Sequence, residues 1–245
     1  MVEVQSLSKA FRDKKRGLIR AVDGVSFRCA PGQIYGLLGV NGAGKTTTLR
    51  MLATILQPTS GTAKVAGHDI VAAPELVRAN VGFLSTATAL YDRLTARELV
   101  EYFGRLNGMP DSRVRERVDS IFALLDMNEF RDRRCGKLST GMKQKVSIAR
   151  ALVHDPVVMI FDEPTLGLDV LTARTIVGFI RDCRTRGKTV IFSSHVMSEV
   201  EKLCDVIAII HGGRILAEGT LAQLRERTGL MDLEEVFVKI VEGQP

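Results

Sequence analysis

The octapeptide Gly39-Val-Asn-Gly-Ala-Gly-Lys-Thr46 combines three glycines with a lysine and a threonine at fixed spacing. Glycines let a loop wrap closely around a phosphate group, so that backbone N–H groups point at its oxygens. Lys45 can reach the β- and γ-phosphates of a nucleotide, and the Thr46 hydroxyl can ligate Mg²⁺. The apolar stretch "IYGLL" precedes the loop and an amphipathic helix follows it. This strand–loop–helix context predicts a nucleotide-binding loop.

An acidic pair and a histidine supply the matching catalytic chemistry. Asp162 and Glu163 end the apolar stretch "VVMIFDEP". We expect Asp162 to hold Mg²⁺ through water, and Glu163, one residue on and pointing to the other side, to polarise an attacking water. His195 ends the next predicted strand, "TVIFSS", at the edge where α/β folds bind ligands. It can contact the γ-phosphate or orient the water of Glu163.

A second stretch, Leu138-Ser-Thr-Gly141, leads into a helix. Ser139 and the Gly141 amide would form another anion site at the helix N-terminus. A simple serine N-cap explains the same residues without a ligand. One nucleotide does not need two anion sites, unless the second site serves the ATP of another subunit.

The elements that must position these residues alternate between strands and helices. "VEVQSL" and "RAVDGVSFRC" alternate like antiparallel strands, and a helix is expected over about residues 45–56. Only helical patterns occur in an insert over about 90–155, where Thr95 and Glu98 form a capping box. Strands then resume, with a helix over about 170–186, a further helix, a hairpin and two short terminal helices. Sequential strands with crossover helices imply a parallel sheet core.

Composition limits the partners. The chain has 34 Lys and Arg against 28 Asp and Glu, a net charge of +6, which fits ATP or an anionic membrane without requiring nucleic acid. Scarce aromatic residues and the lack of Trp argue against base-stacking platforms. The four cysteines form no metal-ligand pattern, so reduced thiols are expected. No apolar run approaches the ~20 residues of a membrane span, and no signal peptide is expected. We therefore expect a cytoplasmic chain whose membrane span belongs to a partner.

The order of these motifs resembles the ATP-binding subunits of ABC transporters over nearly the whole chain. It comprises the Walker A loop, a signature "LSTGMKQK", Walker B "MIFDEP", a D-loop "LGLD" ending at Asp169 and the switch His195. The family signature is usually LSGGQ. Thr140 and Met142 here replace a glycine and the glutamine, whereas Ser139 and Gly141 remain.

The resemblance implies an α/β P-loop NTPase fold with a mixed sheet core, an N-terminal antiparallel β subdomain and an inserted α-helical subdomain. It places the ATP-binding domain at 1–228 and a short C-terminal helical extension at 229–245. It also implies a head-to-tail homodimer that sandwiches two ATP molecules, each between Walker A of one subunit and the signature of the other. The ATP-binding residues it implies are Phe11 (stacked on adenine, or else a core phenylalanine), Gly39, Val40, Asn41, Gly42, Ala43, Gly44, Lys45, Thr46 and Thr47. The implied signature residues are Leu138, Ser139, Thr140 and Gly141.

Longer stretches such as "GMKQKVSIARALVHDP" and "DLEEVFVKIV" are similar to subunits of the NatA type. That resemblance implies an ATPase on the inner face of the cell membrane, paired with an ABC-2 permease that exports sodium. Related drug and polysaccharide exporters share these stretches. We expect the permease to contact residues 86–94 and the first helix of the insert, with Tyr91 as an exposed anchor or else a core residue.

Thr86 departs from the family, which usually has glutamine at this Q-loop position. The glutamine reaches Mg²⁺ and the attacking water, and threonine is shorter by roughly 2.5 Å. We therefore predict reduced but real hydrolysis. A regulatory clamp that turns ATP over slowly is the alternative. The short spacing between Walker A and the signature excludes a chromosome-maintenance ATPase. The single Walker A loop excludes a tandem ribosome-acting protein. The signature excludes a kinase-like enzyme.

Overall fold

A computed structural model describes residues 1–13, 17–85 and 89–243. Its strands, in chain order, are β1 (Val2–Asp13), β2 (Gly17–Cys29), β3 (Ile34–Leu38), β4 (Ser60–Val65), β5 (His68–Asp69), β6 (Val81–Ser85), β7 (Val158–Asp162), β8 (Thr189–Ser194), β9 (Val206–His211) and β10 (Arg214–Gly219). Its α-helices are α1 (Lys45–Leu52), α2 (Pro74–Asn80), α3 (Ala96–Leu106), α4 (Asp111–Leu124), α5 (Thr140–Leu152), α6 (Val170–Thr185), α7 (Met197–Leu203), α8 (Leu221–Thr228) and α9 (Leu233–Glu242).

The central sheet has six strands in the order β10-β9-β3-β8-β7-β6. The five strands from β9 to β6 run parallel, and β10 is antiparallel to β9. Every residue of β3, β7 and β8 is buried. Both faces of a parallel sheet are covered by other elements, which explains why these strands read as nearly continuous apolar runs.

The two faces of this sheet carry separate hydrophobic cores because side chains alternate along a strand. On β3, Ile34 and Leu38 face one core, and Tyr35 and Leu37 face the other. Helices α3 to α9 close the first core, and α9 contributes Leu233, Val236 and Phe237 to it. Helix α1 and a second, antiparallel sheet in the order β2-β1-β4-β5 close the other core. The predicted α/β fold with a mixed sheet, an N-terminal antiparallel sheet and inserted helices is confirmed.

The insert is helical where it was predicted to be. The described chain between β6 and β7 contains α3, α4, α5 and two short 3₁₀ turns, and none of its described residues forms a strand. The capping box that opens α3 is present: Glu98 N donates to Thr95 Oγ1 (3.1 Å), and Thr95 N donates to Glu98 Oε2 (2.8 Å). Helix α4 buries one face, with Val114, Val118 and Ile121 in the core.

Several element boundaries differ from the prediction. Helix α1 ends at Leu52 rather than near residue 56, because Thr54 adopts a left-handed backbone (φ 58°) that a helix cannot continue through. Helix α2 was not anticipated. Its seven residues are too few for a clear apolar period, and Pro74 at its first turn is the only signal. Strands β1 and β2 also extend beyond the predicted stretches.

Candidate functional site

The predicted catalytic residues follow the carboxyl ends of neighbouring parallel strands. Asp162 ends β7 and pairs in register with Ser193 of β8. Leu38 ends β3 and pairs with Ser194 of β8. Because these strands end at one edge, the glycine loop, the acidic pair and the switch histidine all meet there. Thr86, which follows β6, lies outside the described residues, so its role stays a prediction.

Two glycines of the loop hold it against neighbouring backbone. A Cβ on Gly39 would lie 2.4 Å from the carbonyl oxygen of Ile210, and one on Gly44 would lie 2.5 Å from that of Ala21. Gly42 and Gly44 also have left-handed backbones, with φ of 83° and 105°. Only glycine fits both the space and the conformation at Gly44. The result is a tight cradle at the start of α1.

The other residues of the loop present backbone more than side chains. Val40 and Asn41 are exposed at the tip, and Thr47 is half-buried. Ala43 is buried, and its carbonyl accepts a hydrogen bond from Gly213 N (3.0 Å), which anchors the loop to the β9–β10 turn. This arrangement suits a phosphate, which loops of this kind bind chiefly through peptide N–H groups.

Lys45 is buried and fully engaged. Its Nζ donates to the carbonyl oxygens of Gly39 (2.6 Å) and Val40 (3.1 Å) and lies 3.0 Å from Oε1 of Glu163. These three partners match the three donors of an ammonium group. The lysine is therefore held at the mouth of the loop, against the acidic residue expected to activate water.

Thr46 and Asp162 form an oxygen pair next to this lysine. The Thr46 hydroxyl donates to Asp162 Oδ1 (3.0 Å), and the hydroxyl of Ser193 donates to the same oxygen (2.9 Å). A hydroxyl and one or two carboxylates, completed by substrate phosphates and water, are the usual ligands of Mg²⁺. Among the residues described, no cluster of three or more His, Cys, Asp or Glu could hold a metal. The site fits a metal that arrives with a phosphate ligand.

Glu163 leaves strand β7 in an unusual conformation. Its φ of 47° is left-handed, which costs a non-glycine residue on the order of 1–3 kcal/mol. Its N–H is shared between the hydroxyl (3.1 Å) and the carbonyl (3.2 Å) of Ser193, which hold this conformation. The expectation that Glu163 points away from Asp162 is wrong. Because strand alternation stops at the left-handed turn, both carboxylates contact the loop–helix junction, Asp162 through Thr46 and Glu163 through Lys45.

His195 completes the site. Its Nδ1 lies 3.1 Å from Oε2 of Glu163, and its side chain is 37% exposed. The two oxygens of Glu163 are thus divided between Lys45 and His195. A carboxylate next to a partly exposed imidazole can orient a water molecule and accept a proton from it. Ser193, which contacts both acidic residues, was missed from the sequence. Its place two residues before the switch histidine, near the end of a buried strand, was the available signal.

Phe11 is not a core residue. It lies on β1 opposite Ile19 of β2 and is 39% exposed. Lys9 Nζ lies 5.3 Å from the centre of its ring. Strand β2 continues to Ala21, whose carbonyl lies against Gly44 of the loop. An exposed aromatic ring on a hairpin that touches the phosphate cradle is suited to stack on a base.

The signature residues lie at the start of α5. Ser139 is its N-cap and accepts a hydrogen bond from Met142 N (3.3 Å); Thr140 is exposed and Leu138 is buried. A Cβ on Gly141 would lie 3.1 Å from Oγ1 of Thr172 in α6. Ser139 thus bonds within α5, and Gly141 lies against α6.

Asp169 of the predicted D-loop caps α6. Its Oδ1 accepts hydrogen bonds from the backbone N–H groups of Leu171 and Thr172 (3.0 Å each), and its Oδ2 accepts one from the Thr172 hydroxyl (2.7 Å). The hydroxyl bond is the main reason that the pKa of Asp169 is lowered. Thr172 thus links the D-loop to Gly141 at the start of the signature helix.

A groove of about 810 Å³ lies between α1–α2, β6 and the insert. Its apolar lining includes Ile55, Phe83, Phe103 and Leu106. Tyr91, predicted to be either exposed or buried, is 57% exposed and lines the groove.

One charge is buried in this groove. The Arg150 guanidinium carbon lies 5.0 Å from the centre of the Phe103 ring, and burial lowers the pKa of Arg150. Within the described residues, no carboxylate forms an ion pair with Arg150, which is 7% exposed.

None of the described helices is both long enough and apolar enough to cross a membrane.

A family model described as "ABC transporter" matches residues 22–166. The ABC transporter ATP-binding protein NatA of Bacillus subtilis (strain 168) is 42% identical over 245 residues, which cover 99% of each chain. The Nod factor export ATP-binding protein I of Paraburkholderia xenovorans (strain LB400) is 39% identical over 236 residues, 96% of this chain and 76% of the relative.

Solved structures agree with these matches. The structure of an ATP-binding subunit of an ABC transporter superposes with a TM-score of 0.88 at 28% identity, covering 98% of this chain and 99% of the other. The dimeric structure of a bacterial ABC transporter cassette superposes with a TM-score of 0.81 at 25% identity, covering 90% of this chain and 98% of the other.

Proposed function

Because the chain belongs to the family of ABC transporter ATP-binding subunits and is an ATPase, we propose that its hydrolysis of ATP drives export through a separate permease of the ABC-2 class, with sodium ion as the cargo. The observation that carries this proposal is the carboxylate of Glu163, which lies between Lys45 and His195 at the mouth of the glycine loop. Similarity to an export ATP-binding protein over 96% of this chain and 76% of that relative supports export. The match to NatA over 99% of each chain supports a transporter subunit.

In the proposed cycle, the loop from Gly39 to Thr47 binds the phosphates of ATP and Phe11 stacks on its adenine. Lys45 exchanges the carboxylate of Glu163 for a phosphate oxygen, since both are anions and the lysine has no donor to spare. The freed Glu163 then accepts a proton from the water that attacks the γ-phosphate, and His195 orients Glu163 and this water. Lys45 balances the charge that develops on the transferred group.

Mg²⁺ fits next to these residues. We propose that the Thr46 hydroxyl holds it directly and that Asp162 holds it through water, after their mutual hydrogen bond opens. When bound, the ion neutralises charge on the β- and γ-phosphates. Ser193 keeps Asp162 in place, because its hydroxyl donates to the same carboxylate oxygen. The hydroxyl of Ser193 also bonds Glu163 N, so both acidic residues are fixed by one side chain.

We infer a head-to-tail homodimer in which Leu138 to Gly141 contact the ATP of the opposite subunit. Large apolar side chains flank Asp169 in solution-accessible positions: Leu166 is 51% exposed, Val170 81% and Leu171 75%. Apolar surface of this kind, next to polar groups, is typical of a protein interface. The dimeric cassette of the same fold supports this arrangement.

Light scattering on the Glu163→Gln variant tests the dimer, because ATP is then bound without being consumed. We expect ATP with Mg²⁺ to double its mass. Leu171→Asp should prevent this. Met231→Asp, at an equally exposed apolar position (74%) far along the chain, should not. A Glu163→Gln protein that stays monomeric at saturating ATP would contradict the homodimer.

We propose that the groove between α1–α2, β6 and the insert holds a cytoplasmic helix of the permease, which would bring the chain to the inner face of the membrane. A largely apolar lining with a buried Arg150 that has no carboxylate partner among the described residues fits a helix that brings a carboxylate or its C-terminal carbonyls. Leu106→Glu, a change at a 63% exposed residue of the groove, should leave the ATPase rate of the isolated chain unchanged and abolish co-purification with the permease.

The cargo is tested with the permease that co-purifies with the tagged chain. Proteoliposomes that hold both proteins should take up Na⁺ when ATP is added outside, and the Glu163→Gln variant should not support uptake. ATP-driven uptake of a fluorescent cationic drug without Na⁺ movement would favour a drug exporter instead. If the chain serves a polysaccharide exporter, neither Na⁺ nor the fluorescent drug should be taken up. A wild-type ATPase rate no higher than that of Glu163→Gln would favour the slow regulatory clamp.

A further inference from the structure

Glu199 joins the two segments that carry the proposed catalytic pair. Its Oε2 accepts a hydrogen bond from the Thr165 hydroxyl (3.0 Å) and another from the Ser194 hydroxyl (3.0 Å). Thr165 lies two residues after Glu163, and Ser194 directly precedes His195. A single carboxylate oxygen therefore connects the loop after β7 to the end of β8.

The hydrogen bonds of Glu199 differ from those usually made by a glutamate at its position in a helix. It is the third residue of α7, where a glutamate ordinarily accepts a hydrogen bond from the N-cap backbone. Val196 is the N-cap, and α7 has no side-chain cap bond. Instead, Val196 N donates to the Ser194 hydroxyl (3.0 Å), the same hydroxyl that donates to Glu199. The glutamate is used between elements rather than within its own helix.

The hydrogen bonds of Glu199 hold the two segments that lie next to Glu163 and His195. Glu163 has a left-handed backbone that neighbouring contacts must hold. The carbonyl and the hydroxyl of Ser193 both accept from its N–H. On its C-terminal side, Leu166 N donates to the Glu163 carbonyl (3.2 Å), Gln144 Nε2 donates to the Pro164 carbonyl (3.2 Å), and the Thr165 hydroxyl donates to Glu199. Hydrogen bonds to a carboxylate are stronger than those between neutral groups. The 3.1 Å contact between Glu163 and His195 thus lies between two segments that Glu199 ties together.

We propose that Glu199 is a positioning residue for ATP hydrolysis, which sets the geometry of Glu163 against His195 through Thr165 and Ser194. It does not touch the reacting atoms. The inference rests on the proposed roles of Glu163 and His195. A displacement of the order of 1 Å at a reacting group can lower a rate by roughly 10²-fold. Loss of both hydroxyl bonds should accordingly lower kcat by about 10- to 100-fold and leave KM for ATP nearly unchanged.

The test compares Glu199→Ala and Glu199→Gln in the wild-type and Glu163→Gln backgrounds. Glu199→Ala should lose kcat, while Glu199→Gln should retain most of it, because an amide oxygen can still accept both hydroxyls. In the Glu163→Gln background, Glu199→Ala should change the residual rate less than about twofold, since residues that act as a unit are not additive. Glu201→Ala is the matched control. It removes a carboxylate from the same helix, one paired with Arg225 (2.9 Å), and should leave kcat unchanged.

Each other outcome has a distinct meaning. If Glu163→Gln alone does not lower kcat, the proposed function is wrong. If it does, but Glu199→Ala keeps the wild-type kcat, the positioning role is wrong. An equal loss from Glu199→Ala in both backgrounds, or a Glu199→Gln variant as slow as Glu199→Ala, would also overturn it. Melting temperature and nucleotide binding measured on every variant identify an unfolded protein. Thr165→Val then serves as the second variant. It should lower kcat less than Glu199→Ala does, and it should change the residual rate of Glu163→Gln by less than about twofold.

Discussion

Lys45 and Glu163 form an ion pair across the edge of the sheet, with Nζ 3.0 Å from Oε1; the lysine is buried (4% exposed) and the glutamate is half-buried (14%). The lysine that is proposed to bind phosphate is therefore held by the residue that is proposed to activate water. In the proposed cycle, ATP and Glu163 would compete for the same ammonium group. Binding of the nucleotide would release the carboxylate at the moment when the reaction needs it.

Glu163→Gln is expected to lower kcat by at least about 10²-fold, because it removes the proposed general base. It is also expected to tighten ATP binding by roughly tenfold, equivalent to about 1.4 kcal/mol, because a neutral amide neither holds Lys45 nor repels the phosphates. Steady-state kinetics and equilibrium binding of a fluorescent ATP analogue measure the two effects. Unchanged or weaker ATP binding would show that Glu163 and the nucleotide do not compete.

His195→Ala is expected to lower kcat by about 10- to 100-fold with little change in ATP affinity, because the hydrogen bond that the described structure gives His195 is to Glu163. His68→Ala, in the short strand β5 of the antiparallel sheet, is the control and should retain full activity. Single-turnover measurements separate the chemical step from ADP release. A variant whose chemical step runs at the wild-type rate would rule out a role for His195 in preparing water.

Gly39→Ala is expected to destroy ATP binding. The added methyl group would lie 2.4 Å from the carbonyl oxygen of Ile210, so the loop must move away from β9. Gly178→Ala provides the contrast, because nothing lies within 4 Å of its added Cβ and it sits inside α6. That change should raise stability by up to about 1 kcal/mol through helix propensity. Thermal unfolding with and without ATP measures both; ligand-induced stabilisation of Gly39→Ala would contradict the prediction.

Thr86→Gln is expected to raise turnover, because it restores an amide at the position where the family usually has one. One oriented polar contact to a reacting group is worth up to about 10²-fold in rate. The measurement is the ATPase rate as a function of Mg²⁺ concentration, with Thr86→Val as the control for shape without the hydroxyl. If Thr86→Gln leaves both turnover and the Mg²⁺ dependence unchanged, this segment acts only as a mechanical hinge.

The cysteines are expected to resist alkylation in the folded protein. Burial raises the pKa of Cys29 and Cys183 to about 12, and it raises those of Cys135 and Cys204 as well. A raised pKa keeps a thiol protonated as the pH rises, and at pH 8 a pKa near 12 leaves about one thiolate in 10⁴. Mass spectrometry after iodoacetamide treatment at pH 8 should find little label on the native chain and four labels on the denatured chain. Rapid native labelling at Cys29 would mean that β2 opens locally.

The sequence by itself determined which residues bring chemistry to this protein. Glycines at 39, 42 and 44, followed by Lys45 and Thr46, are a local pattern, because a phosphate cradle is built from consecutive residues. The carboxylates at the end of β7 and the histidine after β8 were also predictable, since strand ends in a parallel sheet share one edge. The capping box of α3 needs only residues three apart.

Only the tertiary structure decided how these residues meet. The pairing of Lys45 with Glu163, the left-handed turn that carries Glu163, and the bonds of Glu199 to Thr165 and Ser194 all join distant parts of the chain. Their geometry depends on the register between β7 and β8 and on the packing of α7, which no local period encodes. The buried charge of Arg150 likewise depends on how the insert packs against the sheet. Residue types specify the available chemistry, whereas long-range packing sets the distances on which its rate depends.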